Sequence, residues 1–268
     1  MPEQDISKRL ALAKEIAVEA GQHTLKYFQR DNFNVERKSD RSPVTVADRE
    51  AEQILRDRIT EAFPGDAILG EEFGAVDGTS GYRWILDPID GTKSFISGVP
   101  LFGTMIGVEF EGRSDVGVVY IPGLDEGVYA AKGQGAWYIQ GDSEPTPACV
   151  SSREKLADGL FITSQVDSFA QRGAAGVYDR LQEIAYITRT WGDCYGYLLI
   201  VTGRAEAMVD PVMNVWDAAA LQPILEEAGG TFTDWNGQPT IHSGEGVGTN
   251  GKVLDEVLAI TRSFSKPS

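Results

Sequence analysis

A short apolar run, Tyr82-Arg83-Trp84-Ile85-Leu86, passes directly into Asp87-Pro88-Ile89-Asp90-Gly91-Thr92. Aromatic and β-branched residues favour a strand there, and Asp87-Pro88 is expected to stop it. A strand that ends in two carboxylates, a glycine and a hydroxyl delivers them to one edge of a sheet, where ligands of layered folds bind. The two acids are three residues apart across a proline-fixed turn, so both carboxylates can converge. Gly91 lets backbone approach a ligand. Magnesium requires hard oxygen donors of this kind and takes few protein carboxylates per ion. The same residue types also build an Asx turn, with Asp90-Gly91 as a tight corner.

The patterns on either side set the organisation. Ile6, Leu10, Ala13 and Ala17 recur at helical steps and predict a helix over about 6–30. A polar turn over 37–43 precedes a second helix over about 45–63, closed by Pro64-Gly65. Its inner stripe reads Ala47, Ala51, Ile54, Leu55 and the stem of Arg58. Beyond the central strand, 102–110, 116–120 and 128–132 read as strands joined by short turns, an antiparallel meander. From residue 146 elements alternate, with strands at 160–163, 186–188 and 207–209 and helices at 174–184 and 195–202. Ala218, Leu221, Leu225 and Ala228 mark one more helix, closed by Gly229-Gly230, with Pro223 kinking it or lying early in it. The tail from 263 is expected to fray. The 268 residues suit one domain of two lobes, about 1–145 and 146–268, sharing one cleft.

Charge narrows the partners. The chain has 24 basic and 40 acidic side chains, a formal net charge of -16. Such a surface repels phosphate backbones, so nucleic acid is not expected as a partner. An anionic substrate would need cations at its site. No apolar segment follows the polar start, and no run approaches the length of a membrane span, so neither a secretory signal nor a membrane partner is expected. Cys149 and Cys194 form no ligand pattern, which suits a reducing cytoplasm. With His23 and His242 alone, a histidine-centred phosphatase or a serine triad is not indicated. No phosphate-binding loop of the NTPase type is present.

Further acids stand at three places where chemistry is possible. Glu71-Glu72 follows Gly70 at the end of the apolar run 67–69, as a metal ligand, a base on water, or a solvated turn. Asp48 stands three residues after Thr45, in a capping box or as a carboxylate reaching a metal. Asp217 follows Trp216 at a helix start, as a cap or as a ligand.

Together these pieces resemble the inositol monophosphatase family, within the wider fructose-bisphosphatase-like superfamily. The resemblance rests on Gly70-Glu71-Glu72, on 84–92 with its DPIDGT core, and on Trp216-Asp217-Ala218-Ala219 downstream. Lys38, Asp40, Val44-Thr45 and Asp48 stand ahead of these, with Gly133-Gln-Gly-Ala136 and Glu227-Ala-Gly-Gly230 behind. The resemblance implies a five-layer α/β/α/β/α sandwich and Mg²⁺-dependent hydrolysis of a small phosphate monoester, with two or three ions per site. It implies that Glu71, Asp87 and the Ile89 carbonyl hold one metal and that Asp87, Asp90 and Asp217 hold a second. Glu71 and Thr92 would orient the attacking water, Gly91 and Thr92 would offer N–H groups to phosphate, and Asp48 would support Thr92 and the metals. A homodimer is implied by the resemblance alone.

Within the family, two stretches depart from the inositol enzymes. Lys93-Ser94-Phe95 follows Thr92, and 189–197 reads Arg-Thr-Trp-Gly-Asp-Cys-Tyr-Gly-Tyr. The second is similar to the histidinol-phosphate phosphatase members, which act in histidine biosynthesis. A substrate with an ammonium and an imidazole suits Asp193, since a carboxylate gains a charge-assisted hydrogen bond from a cation. Asp210 corresponds to a family acid that contacts the substrate alcohol, Asp90 and Asp217 also face the substrate, and Arg189 would orient these acids or lie on a strand surface. The alternative substrate is inositol phosphate or another small polyol phosphate.

Overall fold

The computed structural model describes residues 3–30, 35–37 and 43–264. Lys38, Asp40 and most of the polar turn lie outside the described residues, as do 265–268. Helix α1 (Glu3–Thr24) and helix α2 (Val46–Ala62) flank a short antiparallel pair, β1 (Val35–Arg37) and β2 (Pro43–Thr45). Then come β3 (Ala67–Gly70), β4 (Gly74–Val76), β5 (Tyr82–Asp90), the one-turn α3 (Thr92–Ile96), β6 (Gly103–Phe110), β7 (Arg113–Ile121), β8 (Glu126–Ala131), β9 (Ala136–Gln140) and β10 (Thr146–Pro147). Strands β3 to β10 make one eight-stranded sheet, ordered β10-β9-β8-β7-β6-β5-β3-β4, with the predicted meander at its centre.

The rest of the chain builds a second sheet. It runs β11 (Leu160–Ile162), α4 (Asp167–Gln171), α5 (Ala175–Ile184), β12 (Ile187–Arg189), α6 (Cys194–Val201), β13 (Ala207–Asp210), α7 (Val215–Ala219), α8 (Leu221–Glu227), β14 (Thr231–Thr233), β15 (Gly246–Thr249) and α9 (Leu254–Thr261). Its five strands are ordered β12-β11-β13-β15-β14.

Period-two alternation sorts the strand residues between cores. In the large sheet Ile85, Met105, Val119 and Val128 face one cluster, while Trp84, Leu86, Ile106, Val118 and Tyr129 face another. The second cluster is closed by α1 and α2, through Ile6, Ala13, Ile16, Ala51, Leu55 and Ile59. The first is shared with α6, α7 and α8 and with one face of the small sheet, through Ile162, Met208 and Phe232. The other face of that sheet, with Phe161, Ala207, Val209 and Val247, packs on α4, α5 and α9 through Phe169, Val177, Leu181 and Val257. The order helix, sheet, helix, sheet, helix is the layered sandwich expected from the sequence. Each Val, Leu, Ile, Phe or Met side chain buried this way contributes about 1.5–3 kcal/mol.

The structure corrects four local expectations. Helix α1 ends at Thr24, whose hydroxyl donates to the Gly21 carbonyl at 2.7 Å. The chain then turns, and Leu25 and Phe28 pack against Phe95 and Phe102 instead of continuing the helix. Arg58 is not on the inner stripe of α2 but pairs with Glu15 and Glu19 of α1. The helix expected over 218–228 is two helices parted at Ala220, and Pro223 falls in the first turn of α8, where a missing N–H costs no intrahelical bond. Strand β5 does not stop at Asp87-Pro88 but carries through to Asp90.

Two motif segments have a structural use. Glu227 on α8 accepts the N–H groups of Gly133 and Gly135 at 2.7 and 2.8 Å, so it clamps the β8–β9 turn. The parallel strands β3 and β5 of the large sheet and β11, β12 and β13 of the small one send their carboxyl ends toward a common cleft.

Candidate active site

A strand sends residues three apart to opposite faces, so Asp87 and Asp90 could not converge on a regular β5. The pairing with β6 resolves this. Asp87 pairs with Met105 and Asp90 with Gly103, so three steps on β5 oppose two on β6. The extra residue is a β-bulge, and it turns both carboxylates to the side facing α6 and α7. Pro88 is tolerated because a bulge needs no ladder N–H from it. Asp87 Oδ1 also accepts the Ile89 N–H at 3.1 Å, so the Asx turn and the acid corner are one structure.

Asp217 reaches the same corner from the middle layer. Helix α7 is capped by Asn214, and Asp217 is its third residue, completing a reciprocal capping box. Its Oδ2 accepts the Asn214 N–H at 2.7 Å. Oxygens of Asp87, Asp90 and Asp217 lie within 4.8 Å of one another. Asp90 Oδ2 accepts the Cys194 N–H, which ties the corner to the start of α6.

Glu71 follows β3, and its N–H donates to Leu86 O at 3.2 Å, which extends the parallel pairing and sets it beside Asp87. The turn that carries it is held from behind by Glu52. This carboxylate is wholly buried and accepts the N–H of Glu72 at 2.7 Å, the N–H of Phe73 at 3.2 Å and Arg56 Nε at 2.7 Å. Gly70 leaves it room, since a Cβ there would lie 2.0 Å from Glu52 Oε1. Sequence reasoning missed Glu52 and Arg56. Asp48, Glu52, Arg56 and Ile59 fall on the same face as Ala51 and Leu55, and charges on an apolar stripe were the available signal.

Asp48 is buried, and its Oδ2 accepts both the N–H and the hydroxyl of Thr45, at 2.7 and 2.6 Å. It therefore caps α2, one of the two readings of its position. The Thr92 hydroxyl donates to the Ile89 carbonyl at 3.0 Å. Ile89 itself buries its side chain with Ala47, Phe95 and Phe102. Gly91 caps α3 with φ of 83°, a left-handed conformation that glycine adopts without strain. A Cβ there would also lie 2.9 Å from Asp193 Oδ2.

Asp193 sits at the first turn of α6 without capping it through its side chain. Asp210 ends β13, where it accepts the Ser164 N–H at 3.0 Å and the Tyr197 hydroxyl at 2.9 Å. Glu71, Asp90, Gly91, Thr92, Asp193, Asp210 and Asp217 all line one cleft of about 660 Å³. Arg189 is not brought to it. Its guanidinium donates to Thr188 O at 2.7 Å, on a half-exposed edge strand.

Electrostatically the corner is unbalanced. Burial first, then Glu71, Asp90, Asp217 and Asp48, push the Asp87 carboxyl well above the usual range. Burial and then Asp193 and Asp217 do the same to Asp90. Asp217 is pushed up to about 7 and Asp48 to about 6, both chiefly by burial. Asp193 rises to about 6 through burial and Asp210, with Lys93 pulling the other way. Lys93 is the one cationic side chain among the described residues lining the cleft. Crowded, buried carboxylates without cations are the donor set a hard divalent ion requires.

The sequence profile described as the inositol monophosphatase family matches residues 5–266 of the chain. The chain belongs to the inositol monophosphatase family. Among its relatives is the histidinol-phosphatase of Chlorobaculum parvum, 43% identical over 238 residues that cover 89% of this chain and 90% of that one. The histidinol-phosphatase of Mycobacterium tuberculosis is 36% identical over 249 residues, 93% and 96% of the two chains. An inositol monophosphatase from Zymomonas mobilis has a similar solved structure, with a TM-score of 0.83 at 30% identity over 96% of this chain and 98% of that one. Family and fold thus agree with the expectation from the motifs.

Proposed function

We propose that this chain is a Mg²⁺-dependent phosphomonoesterase that hydrolyses L-histidinol phosphate to L-histidinol and phosphate. The observation that carries the reading is a single cleft holding an acid corner fit for divalent cations and, beside it, Asp193 against Gly91. Similarity to histidinol-phosphatases over about nine-tenths of both chains supports the substrate.

In this reading Glu71, Asp87 and the Ile89 carbonyl hold one ion, and Asp87, Asp90 and Asp217 hold a second. When bound, the cations supply charge neutralisation and Lewis acidity to phosphoryl transfer. Glu71 and Thr92 orient the attacking water, with the Thr92 hydroxyl already fixed by Ile89. The N–H groups of Gly91 and Thr92 take phosphate oxygens, since the first N–H groups of a helix lack intrahelical acceptors. Water attacks phosphorus in line, the bond to the alcohol oxygen breaks, and the departing alkoxide takes up a proton. Asp193 receives the substrate ammonium, and Asp210 stands beside it with Tyr197 and Ser164 fixing its carboxylate. Asp48 anchors α2 behind Glu71 and adds to the local negative field. The family resemblance further supports a cytoplasmic homodimer, and the two sheets correspond to two lobes of one domain. Among the described residues no helix is long and apolar enough to cross a membrane.

The test compares phosphate release from histidinol phosphate and inositol 1-phosphate, with and without Mg²⁺. We expect release only with the metal and a higher kcat/KM for histidinol phosphate. Asp193→Ala should lower that value by about tenfold to a hundredfold, the worth of a hydrogen bond to a charged group. The inositol ester should be little affected. A wild-type preference for inositol phosphate gives the polyol reading instead, and full selectivity in the variant removes Asp193 from substrate recognition.

A further inference from the structure

Between Arg189 and Asp193 stands one aromatic side chain that the acid chemistry does not use. Trp191 lines the same cleft as Asp193 and is 43% exposed, whereas Trp84 and Trp235 are fully buried. It belongs to no core cluster. The apolar lining also includes Val99, Leu101, Val212 and Met213, of which Val99 and Val212 are also exposed. The cleft therefore pairs a carboxylate side with an apolar, aromatic side.

The backbone around the ring is tightly set. Gly192 runs against Ser164, where a Cβ would lie 2.2 Å from Ser164 Cα. Ser164 in turn donates its N–H to Asp210. Arg189 lies over the Trp191 ring, 5.7 Å from its centroid. Trp191 and Asp193 are two residues apart, so their Cα atoms are separated by no more than about 7 Å. An amino alcohol whose amine and planar ring are a few bonds apart spans that distance.

We propose that Trp191 is the specificity-determining wall of the leaving-group pocket, stacking on the imidazole of the substrate while Asp193 takes its ammonium. Arg189 is then a positioning residue, acting on the substrate only through the indole. Stacked aromatic pairs and cations over indole are both favourable, and a polyol offers neither a π face nor a cation. This rests on the histidinol phosphate reading above.

The experiment measures kcat/KM of the Mg²⁺-loaded enzyme for histidinol phosphate and for O-phosphoethanolamine, which keeps the amine and lacks the ring. In wild type the ratio should favour histidinol phosphate. Trp191→Ala should reduce that ratio by about tenfold, mostly through KM, and Trp191→Phe should restore most of it. A wild-type preference that survives Trp191→Ala overturns this proposal alone. Equal losses on both esters in Trp191→Ala also overturn it, because they mark a structural role. A wild-type enzyme that shows no preference for histidinol phosphate over either this ester or inositol phosphate overturns the substrate reading and this proposal together.

Discussion

Asp48 and Glu52 lie one turn apart on the same helix and are equally buried, yet they belong to opposite kinds of site. Glu52 has the Arg56 guanidinium and two backbone N–H groups. Asp66 is met by Arg9, Ser80 and Trp84, and Glu206 by Arg153, Ser151 and the Leu160 N–H. Asp48 faces Glu71 and Asp87, and with Asp87, Asp90 and Asp217 it has no ion pair among the described residues. Burial does not separate structural from binding acids in this molecule. Among the described residues, what separates them is whether a cationic side chain pairs with them. Where none does, the crowded carboxylates repel one another, and a divalent ion would relieve that repulsion.

The contrast can be broken at either pole. Glu52→Ala leaves Arg56 buried without its carboxylate and should cost about 3–5 kcal/mol in denaturant unfolding. Asp90→Asn should act the other way on the metal-free protein, holding or raising its stability because a like charge is removed. The same variant should lower phosphate release by at least about a hundredfold in Mg²⁺. If it instead destabilised the metal-free chain as much as Glu52→Ala, the two classes of acid would be one.

A smaller effect sharpens the contrast through pH. Asp217 rises from 3.8 to about 7 on folding, and Asp48 and Asp193 from 3.8 to about 6. An acid with a raised folded pKa binds more protons folded than unfolded, so stability falls as pH rises across that interval. The metal-free protein should therefore lose thermal stability between about pH 4 and pH 7. The Tm increase on adding Mg²⁺ should grow over the same window, since protons and metal compete for the same oxygens. A Tm increment independent of pH would remove Asp217 from the metal site.

Much of this was legible because it is local. The meander follows from alternation between short turns, and the capping roles of Thr45 and Asp48 follow from their spacing. DPIDGT and the downstream Trp216-Asp217 locate three acids that the structure gathers within 4.8 Å. What was not legible depends on partners distant in sequence. The bulge between Asp87 and Asp90 exists only against β6, so the motif alone reads as a turn after a strand. Arg58 reads as part of the inner stripe and Arg56 does not, and only the packing of α1 and the Gly70 turn shows the reverse. The periodicity over 218–228 persists through the break at Ala220 because both halves present apolar residues to the same core. Arg189 carried a charge of the right sign, but its place on an edge strand keeps it from the acids.

One added residue in β5 has a consequence for how this segment tolerates length changes. Each residue inserted or removed on a strand exchanges inside for outside. Between Asp87 and Asp90 the count is odd where the opposing strand's is even, and that mismatch alone aims both acids the same way. Deleting Ile89 would remove that mismatch and leave the acids two apart on one face of a regular strand, so what the deletion would take away is the Ile89 carbonyl and the turn in which Asp87 accepts the Ile89 N–H, not the common facing of the pair.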